Sequence, residues 1–285
     1  MSQLSHTVFV TPPIPQHTGT LNLPNGDPIA WSPLSTTLIY GDHDAVLVDP
    51  PFTTATVRDL LAELELLGRR ITDVYITHGH GDHWFGTSEV LRRFPEARVR
   101  ATAGTRAHMT SPGLAEARAS FWDALFPGEI PNSDVGVDVV GDSGFTVEGH
   151  DLLPVEVGHS DSDDTTVLWV PELRLAVAGD VVYNGVHLSL GESANGGRDA
   201  WRNALTAVTA LNPAVVVAGH KNPANPDSPS HIDATRRYLD DVDEQLAAAS
   251  SPLEYYESML RLHGARLNPG VLWVGANALL GGDAG

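Results

Sequence analysis

The stretch DVYITHGHGDHW, residues 73–84, joins a β-branched run directly to a dense group of metal-binding side chains. Its first five residues are typical of a buried strand. His78, His80, Asp82 and His83 then follow the spacing His-x-His-x-Asp-His. Alternation along an extended chain puts His78 and His80 on one side, and the intervening glycines let the backbone turn so that Asp82 and His83 reach the same point. Because about 0.002 chance matches are expected in a chain of this composition, the stretch predicts a metal site in a loop after a strand.

Three further metal-type side chains come later in the chain, each after an apolar run and each preceded by glycine. His159 follows LPVEVG, Asp180 follows LRLAVAG and His220 follows AVVVAG. The chain has no cysteine, so only imidazole and carboxylate groups are available to hold a metal. That donor set suits zinc, manganese or iron rather than soft metals. We therefore predict that these three residues complete the metal site.

The pattern along the chain is strands, helix, strand, helix, many strands, helix, strand and helices. A helical apolar stripe over Thr54 to Leu67, for example, lies between two strand patterns. Two sheets packed face to face with helices outside would accommodate this order. We predict a single domain over 1–285, with a core at about 35–221, a proline-broken helical insertion at about 105–131 and a helical tail at about 230–280.

Composition narrows the classes of partner. The formal net charge of −19 repels phosphate backbones and anionic membranes, and no apolar run reaches the roughly 20 residues that span a bilayer. The N-terminus MSQLSHTVFVTPPIPQHTG has neither a basic start nor a continuous apolar core, so we expect a cytoplasmic protein. The sequence predicts a small-molecule substrate and neither a nucleic-acid nor a membrane partner, and it leaves a homodimer open.

The motifs, taken in order, resemble the metallo-β-lactamase superfamily, the αββα-fold metallohydrolases. The resemblance covers about residues 35–221 and comprises Asp49 in AVLVDPP, the THGHGDH cluster, His159, Asp180 and His220. In that family the acid at the position of Asp49 is buried and supports the loop that carries the metal ligands. The resemblance implies an α/β fold, a four-layer αββα sandwich, carrying here the helical insertion and the helical C-terminal extension.

The resemblance also implies two divalent metal ions. Zinc is the first choice, and iron or manganese are the alternatives. In two-metal hydrolases the ions share a hydroxide that acts as the nucleophile at neutral pH. Asp82 is therefore counted among the catalytic residues as well as among the ligands. The implied ligands are His78, His80 and His159 for the first ion, Asp82, His83 and His220 for the second, and Asp180 as the bridge.

Several aromatic and histidine side chains are candidates for contact with the substrate. Tyr183 lies three residues after Asp180, and quorum-quenching lactonases of the family have a tyrosine at the matching offset, where it is similar to an oxyanion donor. A core tyrosine is the alternative. His187 either lines the same pocket or is structural. Trp84 and the Phe121-Trp122 pair either form apolar pocket walls or pack in the core.

The leading hypothesis is a dinuclear metallohydrolase that opens a small cyclic ester or amide, a lactone or lactam. A thioester hydrolase of the glyoxalase II type is the alternative. That branch recognises an anionic glutathione group with a basic C-terminal patch, and the basic residues here are scattered: Lys221, Arg236, Arg237, Arg261 and Arg266. A phosphodiesterase and a non-catalytic metal-binding protein are less favoured.

Overall fold

The computed structural model describes residues 3–17, 21–132 and 134–281. Two mixed sheets form the centre of the molecule. The strands of the first half are β1 (Ser5–Thr11), β2 (Ile14–Pro15), β3 (Ala30–Trp31), β4 (Leu34–Tyr40), β5 (Asp44–Val48), β6 (Arg70–Tyr75), β7 (Arg98–Ala101) and β8 (Val137–Val139). The strands of the second half are β9 (Phe145–Val147), β10 (His150–Gly158), β11 (Thr165–Val170), β12 (Leu175–Val177), β13 (Tyr183–Asn184), β14 (Val215–Val217) and β15 (His220–Lys221).

The order of the strands differs between the two sheets. The first sheet runs β1-β4-β5-β6-β7-β8, and the second runs β14-β12-β11-β10-β9. In the first sheet β5, β6, β7 and β8 are parallel neighbours, so the loops after their carboxyl ends leave from the same edge. The first sheet begins before the predicted core, because β1 pairs antiparallel with β4.

Helices cover the outer faces of both sheets. They are α1 (Thr54–Leu67), α2 (Thr87–Arg93), α3 (Ala103–Met109), α4 (Pro112–Ala117), a π-helical turn (Arg118–Trp122), α5 (Asp123–Leu125), α6 (Gly197–Ala210), α7 (Ser230–Ala248), α8 (Pro252–His263) and α9 (Pro269–Leu280). Helix α1 shows how the sequence sets the bounds. The Thr53 side chain accepts from the Thr56 amide at its start, and Gly68 in the left-handed region (φ 62°) ends it.

Three apolar layers hold the sheets and helices together. Neighbouring residues of one strand point into different layers: Leu47 packs toward α1, and Val48 packs between the sheets. In the second sheet Ala176 faces the layer below α6 and α7, and Val177 faces the first sheet. Strands buried on both faces read as continuous apolar runs, which explains why the sequence shows no clean alternation there. The predicted four-layer αββα order is confirmed.

The predicted insertion and tail are helical. The insertion is a series of short helices from α3 to α5, and α7 to α9 make up the tail, with the break at Asn268 and Pro269 where the sequence places it. The division into one domain with these bounds stays a prediction. Over the described ranges, no helix is long and apolar enough to cross a bilayer.

Candidate metal centre

The loop after β6 carries the first group of predicted ligands. His78 is fully buried, and a single 3₁₀ turn over Gly81–His83 brings Asp82 and His83 into the interior. The Trp84 indole donates to the Gly79 carbonyl oxygen at 3.1 Å and braces the turn from behind. Trp84 therefore supports the loop, as the packing alternative predicted.

Asp49 fixes this loop from the end of β5. Its backbone has a φ of 52°, a conformation that non-glycine residues seldom adopt and that clusters at functional sites. Its carboxylate accepts from the Thr77 amide at 2.8 Å and from the Thr77 hydroxyl at 2.6 Å. The same group lies 3.3 Å from His83 Nδ1. Asp49 thus sets the position of the histidine loop.

Asp82, His83 and His220 form one group whose ligand atoms all lie within 4.8 Å of one another. Asp180 is next to it, in a second 3₁₀ turn over Gly179–Val181. The Asp180 carboxylate is 3.3 Å from His83 Nε2 and 3.2 Å from His220 Nε2. Gly219 allows this approach, because a Cβ there would collide with the Asp180 carboxylate. The structure brings these four predicted residues together.

His78 and His80 form a second group, and its third member is Asp161. Asp161 Oδ2 lies 2.9 Å from His80 Nδ1, with the Asp161 side chain fully buried. His159, the predicted third ligand, is not in any ligand group of the described residues. Its Nδ1 instead lies 2.7 Å from the Asp163 carboxylate. β10 ends at Gly158 with a φ of 83°, so His159 leaves the strand in the following turn, and its Nε2 is buried without a described hydrogen-bond partner. Its role as a ligand stays a prediction.

Each histidine of the two groups points one ring nitrogen toward the centre. Its other ring nitrogen contacts a residue outside the two groups. Such partners fix the tautomer and the ring orientation of metal-binding histidines. None is adjacent in sequence except Thr77, so spacing alone could not identify the others. The outside contacts are His78 Nδ1 to Thr77 Oγ1 (3.0 Å), His80 Nε2 to Glu192 Oε1 (3.2 Å), His83 Nδ1 to Asp49 Oδ2 (3.3 Å) and His220 Nδ1 to the Pro33 carbonyl oxygen (2.9 Å).

The inward atoms fit divalent metal ions. Among the described residues, five ligand-type atoms of this region are buried and have no hydrogen-bond partner: His78 Nε2, His83 Nε2, His159 Nε2, Asp161 Oδ2 and Asp180 Oδ1. A buried polar atom without a partner costs roughly 1–3 kcal/mol, and so many side by side are unusual in a folded protein. Imidazole nitrogens and carboxylate oxygens converging on a shared space are ligands for zinc, iron or manganese.

The electrostatics of the centre are those of imidazoles among carboxylates. Burial lowers the pKa of His220, but Asp180 and Asp82 outweigh burial and raise this pKa to about 10. Burial raises the pKa of Asp82, but His83 and His220 outweigh it and hold this pKa below its usual range. Burial raises the pKa of Asp161 to about 6. Opposite charges thus hold the cluster together, and metal ions would take the place of its protons.

Tyr183 and His187 have different surroundings. The Tyr183 hydroxyl donates to Asp180 Oδ2 at 2.7 Å, and the side chain lines the cavity above the centre. Burial and the Asp180 charge raise the Tyr183 pKa well above its ordinary value, so the phenol keeps its proton. His187 is fully buried behind this wall, with Nδ1 2.8 Å from the Tyr238 hydroxyl. It is not among the residues that line the cavity.

A cavity of about 850 Å³ opens over the metal centre. Asp82, Asp161, Asp180 and His220 line its floor. The insertion supplies a facing wall that includes Leu114, Phe121 and Trp122, and Trp31 joins it from β3. Trp31 also donates its indole N–H to Asp82 Oδ2 at 2.9 Å, a contact across 51 positions of the chain that no local pattern predicts. Among the described lining residues there is no lysine or arginine.

Comparisons with known proteins agree with this architecture. A hydroxyacylglutathione hydrolase from Synechococcus sp. is 44% identical over 64 residues, which cover 22% of this chain and only 23% of that relative. A metallo-beta-lactamase family protein from Thermus thermophilus shares the fold with a TM-score of 0.63 at 19% identity, over 96% of this chain and 91% of that one.

A second solved structure gives the same result over a shorter range. A metallo-beta-lactamase from Pontibacter korlensis superposes with a TM-score of 0.58 at 20% identity, over 84% of this chain and all of that one (100%). Residues 30–220 match the sequence model of the metallo-beta-lactamase superfamily, and this range contains every predicted ligand. The chain therefore belongs to the metallo-beta-lactamase superfamily of hydrolases.

Proposed function

We propose that this protein is a dinuclear metal-dependent hydrolase that opens a small, neutral cyclic ester or amide, a lactone or a lactam. Zinc is the first choice of metal, with iron or manganese as the other metals that this donor set accepts. Two divalent ions, when bound, would supply an activated water as the nucleophile and positive charge at the leaving group. We propose seven ligands for them: His78, His80, Asp82, His83, His159, Asp180 and His220.

The chain's own residues would position the reacting groups. Tyr183 holds one Asp180 oxygen and Trp31 holds one Asp82 oxygen, so both carboxylates are fixed before substrate arrives. A hydroxyl has a single proton, and that of Tyr183 is donated to Asp180. We therefore propose Tyr183 as a positioning residue for Asp180. It becomes a donor to a developing oxyanion only if that contact is exchanged for one with the substrate.

The observation that carries the choice of substrate is the cavity over the metal centre. Its floor is polar, its insertion wall is aromatic and aliphatic, and no described lining residue is a lysine or arginine. An uncharged ring with an apolar substituent matches both surfaces. Phe121 is 45% exposed and is thus free to cover such a substituent.

A thioester hydrolase is the second candidate, and the short match to a hydroxyacylglutathione hydrolase favours it. An anionic thiol group would need cationic partners, and none of the scattered basic residues of the tail lines the cavity. Lys221 pairs with Asp227, and Arg266 donates to two backbone carbonyl oxygens. These contacts support the ring substrate over the glutathione thioester.

An assay of the metal-loaded protein tests the choice. We expect turnover of lactones or lactams, with kcat/KM rising as an alkyl substituent lengthens, because each buried methylene contributes about 0.8 kcal/mol. Phe121→Ala should reduce this dependence on chain length. Leu66→Ala is the matched control, since Leu66 is 83% exposed on α1 and does not line the cavity. Faster turnover of glutathione thioesters than of any ring substrate would reverse the ranking.

A further inference from the structure

Trp31 lies in a short ribbon that belongs to neither of the two main sheets. The ribbon consists of β2 and β3, each of two residues, and Trp31 pairs with Ile14 across it. An isolated pair of such short strands is marginally stable by itself. The position of the Trp31 indole therefore depends on what its side chain contacts.

The Trp31 ring packs against an aromatic cluster. Its centroid lies 4.8 Å from Trp122, 5.8 Å from Phe126 and 5.9 Å from Phe52, in tilted or edge-on arrangements that aromatic pairs favour. These three side chains are buried. Phe121 is a further neighbour at 6.2 Å and is 45% exposed. The cluster thus holds part of the Trp31 ring and leaves the rest on the cavity, which Trp31 and Phe121 both line.

The indole N–H of the same side chain reaches the metal centre. It donates to Asp82 Oδ2 at 2.9 Å, and that oxygen also lies 3.4 Å from His220 Nε2 and 3.7 Å from His83 Nε2. A hydrogen bond to a carboxylate is roughly twice as strong as one between neutral groups, and such outer partners orient metal ligands. An indole is only a donor, so Trp31 holds one oxygen of Asp82 in a defined direction.

We infer that Trp31 couples the binding of the substrate's apolar substituent to the position of Asp82. The inference rests on the proposed metal-dependent hydrolysis. A substituent that packs between Trp31 and Phe121 covers the open part of the indole ring and thereby fixes the N–H on Asp82. Contact with a non-reacting part of the substrate then raises kcat as well as lowering KM. Trp31 is a positioning residue that acts through Asp82 and favours ring substrates with an apolar substituent.

Trp31→Phe tests the coupling, because it keeps an aromatic ring in the cluster and removes the N–H. The measurements are zinc affinity by calorimetric titration, and kcat and KM at saturating zinc for lactones with alkyl substituents of increasing length. Zinc affinity should fall by about 10- to 100-fold. In wild type kcat should rise with substituent length. In the variant kcat should be the same for every member of the series, while KM still falls with length.

Two further variants separate the N–H from the ring surface. Trp273→Phe is the matched control, because the Trp273 indole nitrogen has no described hydrogen-bond partner and the residue does not line the cavity; it should behave as wild type. Phe121→Ala keeps the contact to Asp82, so it should bind zinc as wild type does but show a smaller rise of kcat with length. Circular dichroism and thermal melting check folding. If Trp31→Phe does not fold, Trp31→Met replaces it, since methionine fills irregular apolar space.

The coupling is overturned if Trp31→Phe keeps the zinc affinity of wild type or if its kcat still rises with length. Either effect alone would mean that Trp31 only supports Asp82 or only lines the wall. A wild-type kcat that does not depend on substituent length overturns it as well. Wild-type protein that binds no zinc, manganese or iron, or that turns over no lactone or lactam, contradicts the proposed function itself.

Discussion

His187 and His220 are both buried, and their surroundings have opposite effects on the imidazole. Burial, with Arg266 and His263 nearby, lowers the pKa of His187 to about 3. Burial acts on His220 as well, but two carboxylates raise its pKa to about 10. Burial alone therefore does not create a metal site. The site arises where the fold also buries carboxylates beside the imidazoles. Burying these charged groups lowers the stability of the fold unless opposite charges balance them.

The largest effect is expected from removing the carboxylate at the centre of the cluster. In Asp180→Ala, His83 and His220 lose the acid that both contact, and the proposed bridge is lost. Turnover should fall by more than about 100-fold. About 100-fold is the upper range for loss of a residue that only hydrogen-bonds a metal ligand. Steady-state kinetics with elemental analysis measures this. Activity within tenfold of wild type would exclude Asp180 from the metal centre.

A smaller effect is expected from the acid that holds the loop from outside. Asp49→Asn keeps the shape but weakens the contacts to Thr77 and His83, so metal affinity should fall by about 10- to 100-fold. Calorimetric titration with zinc measures it. Asp42→Asn, at an exposed acid seven positions earlier, is the control and should bind zinc as wild type does.

The neutral histidine gives a prediction for stability against pH. The folded pKa of His187 lies near 3 and the unfolded pKa near 6.5, so below pH 6.5 the unfolded chain binds a proton that the folded chain does not. The contribution of His187 to the free energy of unfolding is therefore constant above pH 6.5. Below that pH the free energy of unfolding falls, by about 1.4 kcal/mol per pH unit at most. The groups that face it are Tyr238, His263 and Arg266.

The measurement is the free energy of unfolding of metal-free protein from pH 7.5 to pH 5, for wild type and His187→Gln. The wild type should lose more stability over this range than the variant, which has no imidazole to protonate. Parallel curves for the two proteins would show that His187 is not the neutral buried group described above.

The smallest effect is expected from the hydroxyl that pairs with His187. Tyr238→Phe removes that partner and should cost about 1 kcal/mol of stability, with kcat and zinc content unchanged because the pair lies behind the cavity wall. Chemical denaturation and kinetics on one preparation check both. A loss of turnover in a fully folded variant would place His187 in the catalytic machinery after all.

Much of the fold could be predicted from the sequence because both faces of the sheets are buried. Apolar runs that end in glycine and a polar residue identified the strands that lead to Asp180 and His220, β12 and β14. The strand Ser5–Thr11 escaped because it lies at a sheet edge, where its residues are only half-buried and the apolar pattern is weak. Its partner in β4 is about 30 residues away, a separation that local patterns do not report.

The candidate site was predictable where the proposed ligands follow one another within a few residues, as from His78 to His83, which the structure brings together. It was less predictable where one residue follows a strand, because the turn after the strand decides which side chain faces inward. No pattern singled out Asp161, which the turn after β10 brings to 2.9 Å from His80 Nδ1. Partners such as Glu192, Trp31 and the Pro33 carbonyl come from distant segments and left no local pattern.

The cavity without lysine or arginine also affects the release of product. Opening a neutral ester or amide ring produces a carboxylate, and the chain carries a formal net charge of −19. Like charges repel, and the described lining offers no cationic side chain of lysine or arginine to retain the new anion. The two divalent ions proposed at the cavity floor are then the groups that would retain the product carboxylate, so we expect product inhibition to change with the bound metal rather than with the lining side chains.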